Sequence, residues 1–483
     1  MNRKMIAYTL GRVLLVEGAL MLLSVIVGLI YKESETIIFI PSIMISLAAG
    51  LLVFSKKPEN TTIYAREGFF IVAAAWILMS VIGCLPFMLC GENISFSTAF
   101  FETVSGFTTT GATALTEVES LPKCLLFWRS FTHWVGGMGV LVFVLAIIPM
   151  ADNRSLHLMR AEVPGPVVGK LVPKMKETAK ILYIVYSAMT AVLIILLVFG
   201  GMPLFDSVCH AFGAAGTGGF SIKNAGIMFY DSAYLEMVLS VFMLLFGINF
   251  NLFYLILIKR AKAAFKSEEL RIYILIVAAS VLIIALDLLG IYKNFGEALR
   301  YSFFQVSSII TTTGYATADF AAKWPQLSKH VLVLLMIIGA CAGSTGGGLK
   351  VSRLIILIKS GLNEVRRMIH PRMVSAVQLD GKAIDRETID STRSYLALYM
   401  IIICVSTLIL SMNGYDLETN LTAELSCFNN IGPGIGLVGP LGNFSIYSAA
   451  EKLLLSLNML LGRLEIFPML VLFSPSMWKK RTA

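Results

Sequence analysis

The chain alternates long apolar runs with shorter polar connections. Apolar runs of about 20 residues recur from end to end, and that length lets a helix cross a bilayer core. They predict spanning helices at about 10–31, 37–55, 68–90, 123–149, 178–200, 233–258, 271–292, 328–358, 392–412 and 449–474. Four connections on one side of these spans carry a second pattern: "ISFSTAFFETVSGFTTTGAT" at 94–113, "PLFDSVCHAFGAAGTGGFS" at 203–221, "FGEALRYSFFQVSSIITTTGYAT" at 295–317 and "LETNLTAELSCFNNIGPGIG" at 417–436. Each is a moderately apolar stretch of about 10–14 residues, too short to span, followed by a run rich in glycine and threonine or asparagine.

Aligning the four runs on one glycine puts Gly111, Gly218, Gly314 and Gly432 in register. The spacing is roughly 100 residues, and a fixed internal period of that kind decides an architecture. The pattern predicts an all-α polytopic membrane protein with four pseudo-symmetric helix–short helix–loop–helix repeats around one pore. The repeats are 67–150, 151–260, 261–360 and 361–483, and residues 1–66 form two extra N-terminal helices without a counterpart.

Composition removes the soluble alternatives. The 483 residues are 57% hydrophobic and 14% charged, too few charges for a soluble domain of this length. No small-residue cleavage pattern follows residues 12–30, so that run reads as a retained helix. The net charge of +9 lies in a few connections: Arg3 and Lys4, Lys56 to Arg66, Arg154 to Lys180, Lys259 to Arg271, Lys359 to Arg393, and Lys479 to Arg481. All fall on the side opposite the glycine runs, which the positive-inside rule makes cytoplasmic together with both termini. This leaves no reason to invoke nucleic acid. Seven scattered cysteines without a CxxC give neither a disulfide framework nor a zinc site. The histidines, at 133, 157, 210, 330 and 370, show no metal spacing. With no nucleophile–base pair either, the chain reads as a transporter rather than an enzyme.

Non-helical backbone at membrane depth survives only where protein buries it or where it lines a polar cavity. Four such loops can converge on one axis, where a ring of carbonyls replaces the hydration shell of a cation. Glycine lets carbonyls turn inward without a Cβ clash. The expected filter residues are Thr109, Thr110, Gly111, Thr217, Gly218, Thr312, Thr313, Gly314, Asn430, Ile431 and Gly432. The C-terminal ends of the short helices add partial negative charge at the centre. Glu117 and Glu119 follow the first loop, either concentrating cations or simply solvated.

These loops, with "WRSFTHWVGGMGV" at 128–140, "ACAGSTGGGLKVSR" at 340–353, "IHPRMV" at 369–374 and "GRLEIFP" at 462–468, make the chain resemble the TrkH/TrkG–KtrB–HKT superfamily of cation transporters over nearly its whole length. The two extra N-terminal helices favour the TrkH branch. The resemblance implies a bacterial inner-membrane protein, potassium as the ion because the first loop has Gly111, rubidium as its analogue, and a dimer with one pore per chain. It also implies a cytoplasmic TrkA-like nucleotide-binding ring as regulator. No cofactor other than K+ is expected on this chain. The fourth loop departs from a channel filter at Asn429, Asn430, Ile431 and Pro433.

Two features interrupt the apolar spans. Residues 343–348, Gly343, Ser344, Thr345, Gly346, Gly347 and Gly348, put four glycines in six positions and should break the helix 328–358. The residues alone allow a close helix-packing site or a loop that plugs the pore below the filter, and the resemblance implies the plug. Arg463 lies near the middle of the last span, where a charge faces the interior and marks function by default. Glu465, two positions on, does not share its helix face. The resemblance implies that Arg463 helps hold the glycine loop closed. Lys350 either joins that cluster or snorkels to the cytoplasmic surface. Asp380-Gly381 between alternating residues signals a hairpin in the basic connection 359–393, which is either partner contact or a plain inside loop. Uncoupled, channel-like uptake is expected, with sodium- or proton-coupled symport as the alternative and Glu465 its candidate carboxylate.

Overall fold

The computed structural model describes residues 2–54, 58–59, 63–91, 94–139, 175–372 and 376–475. Among these, six helices are long and apolar enough to cross a membrane: Arg3–Tyr31, Ser34–Val53, Arg66–Leu89, Ala179–Phe199, Glu268–Gly290 and Arg386–Asn413. The pair Ala233–Phe246 and Phe250–Leu257 adds a seventh, bent by 92°. The expected span 123–149 is helical over Lys123–Gly137 and then leaves the described residues, as do the last two residues of "IHPRMV", 373 and 374.

Two further expected spans are not single helices. The segment 328–358 is Gln326–Ile338, an irregular stretch, and then Val351–Ile369. The segment 449–474 is Ala449–Arg463 followed by Ile466–Phe473, with Glu465 at φ +63° between them. A non-glycine residue in that region costs free energy and persists only where the surroundings enforce it. The first break contains the glycine run that predicts it, whereas across the second the apolar residues continue and hydropathy reads one span.

The short helices are Phe96–Phe107, Leu204–Gly216, Phe295–Ile310 and Leu417–Asn429. Three start on a side-chain cap: Ser95 accepts from the Thr98 amide, Asn294 from Glu297 and Asp416 from Thr419. All four end alike. Thr109, Thr217, Thr312 and Asn430 take left-handed φ of 55°, 55°, 57° and 57°. The next amide then reaches back five residues: Thr110 to Ser105, Gly218 to Gly213 and Thr313 to Ser308, each at 2.8 Å, and Ile431 to Ser426 at 2.9 Å. This is the hydrogen bond of a Schellman cap, where glycine is the usual residue. Three β-branched threonines hold it instead, a strained choice of the kind that marks functional backbone.

The repeats pack in a ring. Leu204–Gly216 lies on Lys123–Gly137, Phe295–Ile310 on Ala233–Phe246, and Leu417–Asn429 touches Gln326–Ile338. The circle closes where Ala449–Arg463 packs on Phe96–Phe107. Arg3–Tyr31 lies outside it, against Phe39–Phe54, Ala65–Gly83 and Lys123–Gly137. The hairpin is present: Gln378–Leu379 pairs antiparallel with Lys382–Ala383 across Asp380 and Gly381, both at positive φ.

Candidate functional site: a carbonyl ring above a glycine loop

The backbone sets the register of the four loops. Gly111, Gly219, Gly314 and Gly432 share positive φ of 79°, 75°, 82° and 107°. The second repeat therefore matches at Gly219 rather than Gly218. The run "GTGG" offers two glycines to align, and only backbone conformation distinguishes them.

Each of these glycines meets the loop of the next repeat. A Cβ on Gly111 would overlap the Gly218 carbonyl oxygen, one on Gly219 that of Thr313, and one on Gly314 that of Ile431. A Cβ on Gly432 would lie 2.9 Å from the Thr110 oxygen and close the circle. The carbonyls of Thr110, Gly218, Thr313 and Ile431 thus form one ring, each backed by a neighbouring glycine. All four glycines border a cavity of about 160 Å3 at one mouth of the ring. Thr109 Oγ1 and Asn430 Oδ1 are buried with no hydrogen-bond partner. Buried polar groups normally find partners, so these oxygens are available to a ligand.

Side chains from the surrounding helices fix the ring. His133 Nδ1 lies 2.8 Å from the Gly106 carbonyl and its Nε2 lies 3.2 Å from the Phe220 amide. One nitrogen donates and the other accepts, which makes the imidazole neutral. Arg129 Nε bonds Glu102 at 3.0 Å, while its Nη1 donates to the Ser221 carbonyl at 2.9 Å. Glu102 in turn accepts from Thr113 Oγ1 and the Ala114 amide. Tyr315 is buried, with its hydroxyl 3.0 Å from the His210 carbonyl and 3.2 Å from that of Phe220. Gly213 leaves room for that hydroxyl where the other repeats carry Ser105, Ser308 and Ser426. Asn430 Nδ2 joins the last loop to the first through Thr110 Oγ1 at 2.9 Å.

Glu102, Arg129, His133 and Tyr315 were not among the residues expected from sequence. Ionisable residues inside apolar segments were the available signal for the first three. Glu117 and Glu119 clip two outer loops together. Glu117 bonds Asn224 Nδ2, and Glu119 lies 3.2 Å from Lys223 Nζ and accepts the Asn224 amide at 3.0 Å. That amide, with Lys223, holds the Glu119 carboxyl below its ordinary range.

Residues 339–350 lie directly under the ring. The Gly347 amide donates to Thr312 Oγ1 at 2.6 Å. A Cβ on Gly347 would overlap the Asn429 carbonyl, and one on Gly346 would lie 2.9 Å from that of Thr311. The break in the second repeat receives the other edge: the Cys341 amide bonds the Gly247 carbonyl at 3.1 Å, the Phe250 amide that of Gly343 at 3.0 Å, and Thr345 Oγ1 that of Phe246 at 3.2 Å. Ser344 Oγ bonds back to the Cys341 carbonyl at 2.6 Å.

Arg463 ends the helix Ala449–Arg463, one residue before the kink. Its Nη1 donates to the Thr345 carbonyl at 2.7 Å, and Nη2 to those of Gly136 and Gly137 at 2.6 and 2.8 Å. Lys350 is buried, and its ammonium bonds the Gly346 carbonyl, so it joins this cluster instead of snorkelling. Glu465 pairs with Arg353, as expected of a residue off the Arg463 face. All four repeats therefore touch the loop or its arginine. Among the described residues, no group of three or more histidine, cysteine or acidic side chains is placed to hold a metal ion.

A family model described as "TrkH: Cation transport protein" matches residues 34–480. The chain is 36% identical over 486 residues to the Trk system potassium uptake protein TrkH of Salmonella typhimurium, covering 99% of this chain and 100% of the relative. It is 35% identical over 465 residues to the Trk system potassium uptake protein TrkG of Escherichia coli K12, covering 95% of each. The crystal structure of the potassium transporter TrkH from Vibrio parahaemolyticus superimposes with a TM-score of 0.90 at 32% identity, covering 99% of this chain and 100% of that one.

Proposed function

Because this chain belongs to the TrkH family of cation transport proteins, we propose that it is a potassium-selective, channel-like uptake protein of the bacterial inner membrane. The carbonyl ring is its filter, and residues 343–348 with Lys350 and Arg463 are its gate. Potassium, or rubidium in its place, enters at the mouth bordered by the four glycines and sheds water to the ring. It moves down its electrochemical gradient, which supplies about 2.3 kcal/mol per charge per 100 mV. The residues act by coordination and charge, without covalent chemistry.

The observation that carries this reading is the cyclic contact of each loop glycine with the next loop's carbonyl. A four-fold arrangement of oxygens on one axis has a clear use as a cation site. Pointing the C-terminal ends of four short helices at that axis lowers the energy of a positive charge there. The gate reading rests on the loop beneath the ring and on the Arg463 guanidinium in the path. A fixed positive charge repels a cation, and its hydrogen bonds to the Thr345, Gly136 and Gly137 carbonyls hold the loop in place.

Both termini and the hairpin face the cytoplasm in this reading. There a TrkA-like nucleotide-binding ring meets the basic connections, and the chain works as a homodimer in lipid. The test is rubidium flux into proteoliposomes containing only this chain, with sodium as competitor and with sodium and pH varied. Flux that follows the potassium gradient alone supports the channel. Flux that requires sodium or a proton gradient replaces it with symport.

A further inference from the structure

The glycine loop has two feet, and one carboxylate holds both. Glu269 sits in the first turn of the helix Glu268–Asp287 and is only 7% exposed. Its Oε1 accepts the Ala342 amide at 2.7 Å and the Ser352 amide at 3.0 Å. Ala342 immediately precedes the six-residue loop, and Ser352 follows it in the first turn of Val351–Ile369. That helix has no side-chain cap of its own: Lys350 occupies the cap position at φ +79° and its side chain turns away to Gly346. Glu269 therefore supplies the missing cap from another helix. An anion there also meets the positive end of the helix dipole.

The surroundings leave this contact room to break. Glu269 borders a cavity of about 820 Å3 whose lining includes Asn249, Asn251, Lys266, Lys382 and Asp385. Asn249 lies beside Gly343, where a Cβ would come within 3.0 Å of its Oδ1. The same helix start is tied to the hairpin. Asp380 Oδ1 accepts the Glu268 amide at 2.6 Å, and Lys359 Nζ reaches Glu268 at 2.5 Å and the Gln378 carbonyl at 2.8 Å. The loop feet, the helix start and the exposed hairpin are thus one connected unit.

We propose that Glu269 is the positioning residue that latches the glycine loop across the pore, and that opening requires both of its amide bonds to release. This rests on the reading of residues 343–348 as the gate. A latch differs from a plain structural cap in what its loss changes. Losing a cap lowers stability, whereas losing a latch shifts the closed–open balance and leaves the filter untouched.

The experiment compares the parent chain, Glu269→Ala, Glu269→Gln and deletion of residues 343–348, each purified into proteoliposomes. Three quantities are read: basal rubidium flux, the sodium/potassium permeability ratio, and the labelling rate of Cys341, resolved by mass spectrometry. Cys341 is buried beside the first foot of the loop. Glu269→Ala is expected to raise basal flux about tenfold, the scale set by one charged hydrogen bond. It should also speed Cys341 labelling and leave the permeability ratio at the parental value. Glu269→Gln keeps an acceptor oxygen but no charge, so it should fall between, and it carries the test if the alanine variant does not fold. Parental flux and labelling in the substituted chains, with free conduction in the deletion, would overturn the latch and leave the gate standing. Parental flux in the deletion itself would overturn the gate reading and the latch with it.

Discussion

The Gly347 amide donates to the Thr312 hydroxyl at 2.6 Å, so the glycine loop is hydrogen-bonded to the turn that follows the short helix Phe295–Ile310. Thr312 is also one of the residues whose left-handed φ turns the backbone into the ring. In the proposed reading one side chain therefore belongs to both filter and gate. Thr312→Val is expected to leave the Gly347 amide without its acceptor. An unsatisfied buried donor costs about 1–3 kcal/mol, and here that cost falls on the closed state. Basal rubidium flux should rise several-fold, while Thr312→Ser should stay near the parent. Parental flux through a folded Thr312→Val protein would show that the bond contributes nothing to closure.

Gly111→Ser and Gly219→Ser should behave as a pair. In each, the new Cβ meets the carbonyl of the following loop, Gly218 or Thr313, and displaces one ring oxygen. Reversal potentials should show a higher sodium/potassium permeability ratio in both. Were the ratio unchanged in both, with the protein inserted and folded, the ring would not be the selective element.

Arg463→Ala removes a guanidinium bonded to three carbonyls on two other repeats. Basal flux should increase tenfold or more, taking about 1.5–3 kcal/mol for a charged hydrogen bond. Arg463→Lys keeps the charge but not the planar fork, so it cannot serve Thr345 and the Gly136–Gly137 pair together. It should fall between the two, and a lysine variant that conducts like the alanine one would mean that geometry matters more than charge.

Tyr315→Phe deletes a buried hydroxyl that sits against the His210 and Phe220 carbonyls. The expected cost is about 1–2 kcal/mol, because two acceptors lose a partner but no large cavity opens. Thermal unfolding in detergent should show a lower midpoint. An unshifted midpoint would mean that the second and third loops are held together elsewhere.

Glu119 gives a pH dependence with a definite sign. Its carboxyl is depressed below the usual 4.5, first by the Asn224 amide and also by Lys223. A depressed acid contributes stability that is present above the unfolded value and lost as pH falls through the folded one. The clip to Asn224 should therefore hold unchanged from pH 8 down to about 5 and release only below the ordinary carboxylate range. The side chain is 37% exposed, so the effect is small. Glu119→Gln should lower the unfolding midpoint slightly at pH 7, and the gap to the parent should narrow as pH falls below the ordinary carboxylate range. A gap that does not narrow with acid would contradict the assignment.

Much of this protein is present in its pattern of apolar and polar residues. Spans, the short helices and the four-fold repeat follow from length and spacing, because a bilayer forces backbone groups to bond within the segment and leaves few alternatives. The glycine-rich loops at 105–113 and 308–317, the break at 343–348 and the buried Arg463 were likewise visible, since each violates what an apolar helix tolerates.

The tertiary structure decided what sequence spacing cannot encode. It chose Gly219 over Gly218, because register depends on which residue sits at positive φ beside the next repeat's carbonyl. It broke the helices at Gly247 and Glu465, where hydropathy runs on uninterrupted, because the irregular backbone finds its partners in other repeats. It placed Glu102 with Arg129 and His133 with Phe220 behind the carbonyl ring, and Glu269 at both feet of the glycine loop. These contacts join residues far apart in the chain. Their chemistry is local, but their meeting is fixed only when the four repeats close into a ring and bury each polar group against its partner.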